Sequence, residues 1–404
     1  VTALSNTYPV IRLNPGKHKR VAGGHPWAFS NEIRMDPETK ALKPGSMVRL
    51  TTADETPLGV AMFNPHSLIG ARMMGTNSEL VVDRDELKRR VAHAAVLRDR
   101  LYDQPHYRLI HAEADGLPGV AVDRFGDVAV CQINSAGMDN MADDLAAALM
   151  EELGIKTVVL RGDSPIRKLE GLDDTSRVIG AELSGPIDVL ENGFTYRADP
   201  VGGQKTGWFF DQRENRAFVA RLAKDATVLD VYAHTGGFGL ACAAAGASHV
   251  TIVDRSESTL DLARQAAEQA GLTDTCTLCP VEAFADLQTR RDRAEHYDVV
   301  ICDPPAFVKS KKDLGAGIRG YRKLARMAAK LVSPGGYLAM GSCSYHVDES
   351  SYLFQLRRGL QDAGRESAIL RVASAGPDHP VHPQLPESAY LKFVVLRLDQ
   401  AGLF

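Results

Sequence analysis

Cysteine and long apolar runs are both scarce in this 404-residue chain, and each scarcity removes a class of protein. Six irregularly spaced cysteines (Cys131, Cys242, Cys276, Cys279, Cys302 and Cys343) cannot staple a chain of this size, so they read as reduced thiols. Cys276 and Cys279 form a lone CxxC with no second pair to complete a zinc site, and an odd separation within a strand sends the two side chains to opposite faces. No metal is expected. The longest run of small and apolar residues, Gly236 to Ala247, falls short of the roughly 18 residues a membrane-spanning helix needs. The opening VTALSNTYPV lacks the basic and apolar regions of a secretory signal, so a cytoplasmic location with no membrane partner is expected. The 47 Lys and Arg against 51 Asp and Glu leave a net charge of −4, which argues against indiscriminate polyanion binding.

What remains is an ordinary globular composition, 44% hydrophobic and 24% charged, long enough for two to three domains at roughly 150 residues each. Its charge is unevenly spread. Residues 1–75 hold nine basic and five acidic side chains, a surplus of four positive charges, so the remainder is net negative by eight. Short β-type runs (Pro9 to Leu13, Trp27 to Ile33, Ser46 to Thr51, Leu58 to Phe63) broken by Gly and Pro predict a small β-barrel over 1–78. Leu87, Val91, Ala94 and Ala95 recur at helical spacing within Asp83 to Leu101 and predict a linker helix. A mixed α+β unit then runs to 199, with strands at Val120 to Asp123, Val128 to Ile133 and Thr157 to Arg161 and a helix over Asn140 to Leu153. From 200 to 404 strands and helices alternate, with buried strands at Val228 to Tyr232, Val250 to Asp254, Val299 to Asp303 and Tyr337 to Ser342. That pattern predicts an α/β domain with a largely parallel sheet.

Ligands of open α/β sheets bind at the carboxyl ends of the strands. The first strand of the alternating region, with Asp230 and Tyr232, runs into Thr235, Gly236, Gly237 and Gly239, a turn that lets backbone amides approach a ligand. These glycines do not spell GxGxxG, which disfavours a pyrophosphate. The second strand ends in Asp254, Arg255 and Ser256, where the carboxylate either accepts from ribose hydroxyls or caps the next helix. Glu282 and Ala283 follow the third strand and would meet an adenine edge. Asp303, Pro304 and Pro305 close the fourth in a turn stiffened by two prolines. Together these strand ends indicate an adenosine without phosphates, hence S-adenosylmethionine.

The run D-V-Y-A-H-T-G-G-F-G (230–239), Asp254, E-A-F (282–284), D-P-P-A-F (303–307) and S-C-S (342–344) resemble class I methyltransferases. More narrowly, the chain is similar to the bacterial 23S ribosomal RNA 5-methylcytosine methyltransferases that carry an N-terminal PUA domain. Also matching are G-H-P-W-A-F-S (24–30), E-A-D-G-L-P-G-V-A-V-D-R-F-G-D (113–127), G-Q-K-T-G-W-F-F-D-Q-R (203–213), D-H-P (378–380) and Y-L-K (390–392). The resemblance implies a PUA-like barrel, a middle α+β domain and a Rossmann-like methyltransferase domain acting on large-subunit ribosomal RNA or its assembly intermediate, with a homodimer open.

Carbon 5 of cytosine is a poor nucleophile, and an enzyme that methylates it adds a thiolate to carbon 6 first. The resemblance and its place after the fifth strand assign that role to Cys343, against the bland alternative of a buried small hydrophobe. Cys302, inside an apolar run, reads as core. Ala306 stands where a second, product-releasing cysteine would be in related enzymes. Asp303 is expected to orient the base, and Lys205 to reach the cofactor carboxylate. Asp378 and His379 are conceivable proton shuttles, although a solvated surface histidine is the simpler reading of His379. Between 308 and 330, Lys309, Lys311, Lys312, Arg319, Arg322, Lys323, Arg326 and Lys330 face a single Asp313 and would neutralise phosphates, unless they are a solvated helix face. Lys17, Lys19 and Arg20, with Trp27 and Phe29, supply a second expected RNA contact, the aromatics being alternatively barrel core. Two other readings remain: a methyltransferase acting on another RNA atom or a small molecule, and an RNA-binding ribosome assembly factor with a vestigial cofactor pocket.

Overall fold

The computed structural model describes residues 8–203 and 205–400, Gln400 by its backbone alone; the first seven residues and Gln204 of the G-Q-K-T-G segment lie outside the described residues. The chain forms two compact units, neither contiguous in sequence. The first holds Val1–Gly185, Asp199–Trp208 and Pro377–Pro386, and the second Pro186–Ala198, Phe209–Gly376 and Glu387–Phe404. Among the described residues no helix is long and apolar enough to cross a membrane.

In the first unit, Val10–Arg12, Ser46–Thr51, Pro57–Phe63, Ala71–Gly75 and Trp27–Ala28 line up in that order as one sheet. A bridge between Leu13 and Ile33 joins the segments that follow its two edge strands, so the sheet curls around Ile11, Leu13, Val48, Leu50, Ala61 and Phe63. Trp27 to Ile33 is not one strand: Ser30–Glu32 is a 3₁₀ turn, closed by the Glu32 carboxylate accepting from the Phe29 amide at 2.8 Å. Ala71–Gly75 escaped the sequence reading because Ala, Arg, Met and Gly carry little β preference.

Helix Arg84–Leu101 starts at Asp83, whose carboxylate accepts from the Glu86 amide at 3.0 Å, and it buries Leu87, Val91, Ala94 and Ala95. They pack into a core shared with helix Ala142–Leu153 and a second five-stranded sheet, ordered Arg177–Gly180, Thr157–Arg161, Val128–Ile133, Val120–Phe125, His106–His111. Arg98, on the same helix, is fully buried; Asp115 accepts from both its terminal nitrogens at 2.6 and 2.8 Å, and the Asp378 carbonyl accepts at 2.8 Å. The Asp378 carboxylate in turn accepts from the Arg108 amide at 3.0 Å and bonds His379 Nδ1 at 2.8 Å. His379 is therefore not a solvated surface residue. It is 5% exposed and packed 5.0 Å from the His111 ring, whose pKa burial pushes down to about 2 with Arg108 adding to the effect.

The second unit is built on a seven-stranded sheet ordered Cys276–Pro280, His249–Asp254, Thr227–Val231, Tyr297–Cys302, Val332–Ser342, Lys392–Gln400, Arg365–Ala373. The first five are parallel, and Lys392–Gln400 runs antiparallel to both neighbours. From Thr227–Val231 the chain builds outward through two strands, then crosses back to Tyr297–Cys302. The switch point lies between those two central strands, and ligand chemistry in such sheets concentrates at their carboxyl ends. Hairpin Ile187–Glu191 and Phe194–Ala198, expected in the middle domain, belongs to this unit: buried Glu191 takes a two-pronged ion pair from buried Arg216 at 2.6 and 2.9 Å. A buried guanidinium left without its carboxylate would be costly, so the pair fixes the boundary.

Candidate active site

At the switch point, the chain leaving Val231 takes left-handed backbone at Tyr232 (φ 64°), His234 (φ 54°) and Gly236 (φ 77°) within five residues. Two non-glycine residues in that region mark a loop held in place by its surroundings. Asp254 does much of the holding: one carboxylate oxygen accepts from the His234 amide and the other from the Ser256 amide, both at 2.9 Å. The helix that follows is capped by Ser256, whose hydroxyl accepts from the Thr259 amide. Asp254 is thus a brace for the glycine turn rather than a cap, and its half-buried oxygens keep lone pairs for a ligand. Glu282 does cap: it is exposed, and one oxygen accepts from the Ala285 amide at 3.0 Å, while Ala283 is buried beneath it.

Asp230, 1% exposed, accepts from the Gly239 amide at 2.7 Å through one oxygen, while the other is buried without a partner among the described residues. Burial, together with Asp303 and Asp254, pushes its carboxyl up to about 7, against the Gly239 hydrogen bond. A Cβ at Gly239 would meet the Ile252 side chain at 2.8 Å, so this helix start packs against the sheet only as glycine. Thr235 Oγ1 is a second buried polar atom without a partner among the described residues. Unpartnered oxygens beside a strained, amide-rich turn are what a bound polar ligand would satisfy, and the residues fit a nucleoside cofactor. Tyr232, Phe284 and Phe307 form an aromatic side to this region: Phe307 stands 6.5 Å from Tyr232 and 6.2 Å from Phe284. Arg255 is exposed at the end of the second strand. Lys205 is exposed and belongs to the first unit.

Asp303 leaves the fourth strand and accepts from the Gln212 side-chain amide at 2.9 Å; the Gln212 oxygen accepts in turn from Asn215 at 2.7 Å. Gln212 and Asn215 are buried, and neither was foreseen as functional. Gly341, across the sheet, leaves the space Asp303 fills, since a Cβ there would run into the carboxylate. The turn then lies down on helix Leu314–Ala329, where a Cβ at Gly317 would stand 2.6 Å from the Phe307 carbonyl and one at Gly320 3.0 Å from its ring.

Cys343 sits half-buried at the end of the neighbouring strand, its sulfur 4.0 Å from the Pro304 carbonyl. Both flanking serines are fully buried; Ser344 bonds the Tyr321 hydroxyl at 2.7 Å and accepts from the Val308 amide at 3.1 Å. The thiol is therefore presented on a rigid segment beside the Asp-Pro-Pro turn. Cys302 is fully buried, and burial pushes its thiol pKa well up, with Asp230 and Asp303 adding to the shift. That environment suppresses the thiolate a nucleophile needs.

The sequence profile of S-adenosylmethionine-dependent methyltransferases matches residues 171–397, and that of a PUA-like domain matches residues 11–76. The chain belongs to the S-adenosylmethionine-dependent methyltransferase family. Two relatives, the ribosomal RNA large subunit methyltransferases I of Pseudoalteromonas atlantica and Shewanella amazonensis, are 34% and 35% identical to this methyltransferase over 96% of it and 99% of their own lengths. A solved structure from Streptococcus mutans shares the fold with a TM-score of 0.80 at 21% identity, covering 96% of this methyltransferase and all of that chain.

On the expected RNA face of this methyltransferase, Lys309, Lys311, Lys312 and Arg319 are exposed, as are Lys323, Arg326 and Lys330. Arg322 differs, being held by Asp362 at 2.6 and 2.9 Å. In the first unit Lys17 and Lys19 are exposed, whereas Arg20 pairs with Glu32 and lies over the Phe29 ring. The Trp27 indole N–H donates to Glu113 at 2.8 Å, so its polar edge is already engaged.

Proposed function

We propose that this chain methylates carbon 5 of a cytosine in large-subunit ribosomal RNA, with Cys343 as the nucleophile. The names of its full-length relatives support the RNA class. The observation that carries the chemistry is the half-buried Cys343 beside the Pro304 carbonyl, one residue from Asp303, while the rival Cys302 is sealed in the core.

S-adenosylmethionine, when bound, supplies an electrophilic methyl group. The oxygens of Asp230 and Thr235 that lack a partner among the described residues would receive that cofactor, and Asp254 and Glu282 offer further acceptors. Cys343 as thiolate forms a bond to carbon 6 of the base, and the electron pair of the broken 5,6 double bond makes carbon 5 nucleophilic. Asp303, fixed by Gln212, holds the ring through its exocyclic amine or protonated nitrogen 3, where charge develops. After transfer, loss of the carbon 5 proton to a base expels Cys343 and restores the double bond. The exposed lysines at 309, 311 and 312 and Arg319 contact phosphates.

Trapping with 5-fluorocytosine RNA tests the reading, because fluorine cannot leave as a proton. Wild type and Cys302→Ala should give a denaturation-resistant adduct mapping to Cys343, and Cys343→Ala none. An adduct at Cys302, or substantial turnover by Cys343→Ala, would overturn it in favour of methylation at another atom.

A further inference from the structure

Lys392 heads the strand Lys392–Gln400 and pairs in register with Ser342, the residue before Cys343. The residue is 5% exposed, yet among the described residues no carboxylate pairs with it: the ammonium donates to the Ser344 carbonyl at 2.6 Å and the Tyr390 carbonyl at 2.8 Å. A buried lysine that hydrogen-bonds only neutral carbonyls is expensive, and two carbonyls could equally be served by a neutral amide. The charge itself therefore calls for a use.

We propose that Lys392 is a positioning residue for Cys343: its ammonium, pinned beneath the Ser342–Ser344 segment, stabilises the neighbouring thiolate and keeps the sulfur ready for addition. The inference rests on the nucleophile reading above. Burial holds the Lys392 ammonium below its ordinary value, while Cys343, Asp348 and Glu349 pull it back up, so the lysine and the thiol sense each other. Tyr321 and Tyr352 also face the thiol, and both are held in their neutral phenol forms by burial. Asp303 faces Tyr352 from the adjacent turn and opposes a second negative charge there. Against these acidic neighbours a cation bonded to the carbonyl one residue beyond the sulfur favours the charged thiol.

The test is the pH dependence of Cys343 alkylation by iodoacetamide, read by mass spectrometry on the full-length protein without RNA. Lys392→Gln keeps donors for both carbonyls and drops the charge; its Cys343 alkylation at pH 7 should fall about tenfold, with the midpoint moving up by about one pH unit. Lys392→Arg should restore most of the rate, which a purely structural role would not predict. If Lys392→Gln, shown folded by its melting temperature, keeps the wild-type alkylation profile, the proposal fails. The 5-fluorocytosine adduct separates this from the parent reading: an adduct in wild type with an unmoved profile rejects Lys392 alone, while absence of the adduct rejects Cys343.

Discussion

Gln212 donates its side-chain amide to Asp303 across 91 residues of sequence, and its own oxygen is fixed by Asn215. The carboxylate at the Asp-Pro-Pro turn is therefore held in one orientation by buried side chains, ready for the base proposed to meet it. Gln212→Ala should lower kcat by about tenfold, the worth of one hydrogen bond to a charged group, and leave S-adenosylmethionine affinity nearly unchanged. Single-turnover methylation alongside cofactor calorimetry checks both halves, and an equal loss in both would make Gln212 a general structural residue.

Asp254→Ala removes the acceptor for the His234 amide in the glycine turn and for the Ser256 amide at the next helix start, together with the proposed ribose acceptor. Cofactor binding should weaken by about 1.5 to 3 kcal/mol, roughly ten- to a hundredfold in Kd by calorimetry. Asp254→Asn, which retains one acceptor oxygen, should fall between.

The Asp230 carboxyl, raised to about 7 from 3.8, binds its proton more tightly in the folded state than in the unfolded one. Its ionisation therefore weakens the fold above pH 7, and the penalty is relieved as pH falls from 7 towards 4. Asp230→Asn keeps the acceptor for Gly239 and cannot ionise. The melting temperature of the cofactor-free variant should gain on wild type between pH 5 and pH 8, and parallel curves would place the charge elsewhere.

Charge reversal at Lys311, Lys312 and Arg319 should reduce the log–log salt slope of RNA binding by about 0.7 to 0.9 per lost phosphate contact, without moving cofactor affinity. Arg322→Ala should leave the slope unchanged, because its guanidinium is already committed to Asp362. Filter binding across a salt series distinguishes the two sets.

Gly317→Ala would push a methyl group into the Phe307 carbonyl and the Val308 side chain. The expected cost is about 1 to 3 kcal/mol of stability, with lost turnover as the turn carrying Asp303 shifts. Differential scanning calorimetry and a methylation assay read the two effects separately.

The strand ends of the methyltransferase sheet were legible because each carries a local signature: a glycine turn after Val231, an acidic residue at 254, two prolines after Asp303. Gln212 and Asn215 were not, since a polar residue in a helical stretch looks solvated until its distant partner is known. Lys392 offered one signal, a lysine leading the apolar run Phe393 to Leu396, where a charge needs a reason. The hairpin at 187–198 was not legible as part of the second unit, because the pair that anchors it, Glu191 with Arg216, joins residues 25 positions apart on either side of residue 199.

Arg98 and Arg108 are translated early, yet the Asp378 groups that accept from them follow 280 and 270 residues later. At about 5 to 20 residues per second, a ribosome takes roughly tens of seconds to deliver that segment. Throughout that interval the first unit lacks part of its buried polar network, although its sheets and helices are already made. Its completion is thus tied to delivery of the Asp378 segment, and the half-made unit is exposed to chaperones and proteases until that segment emerges.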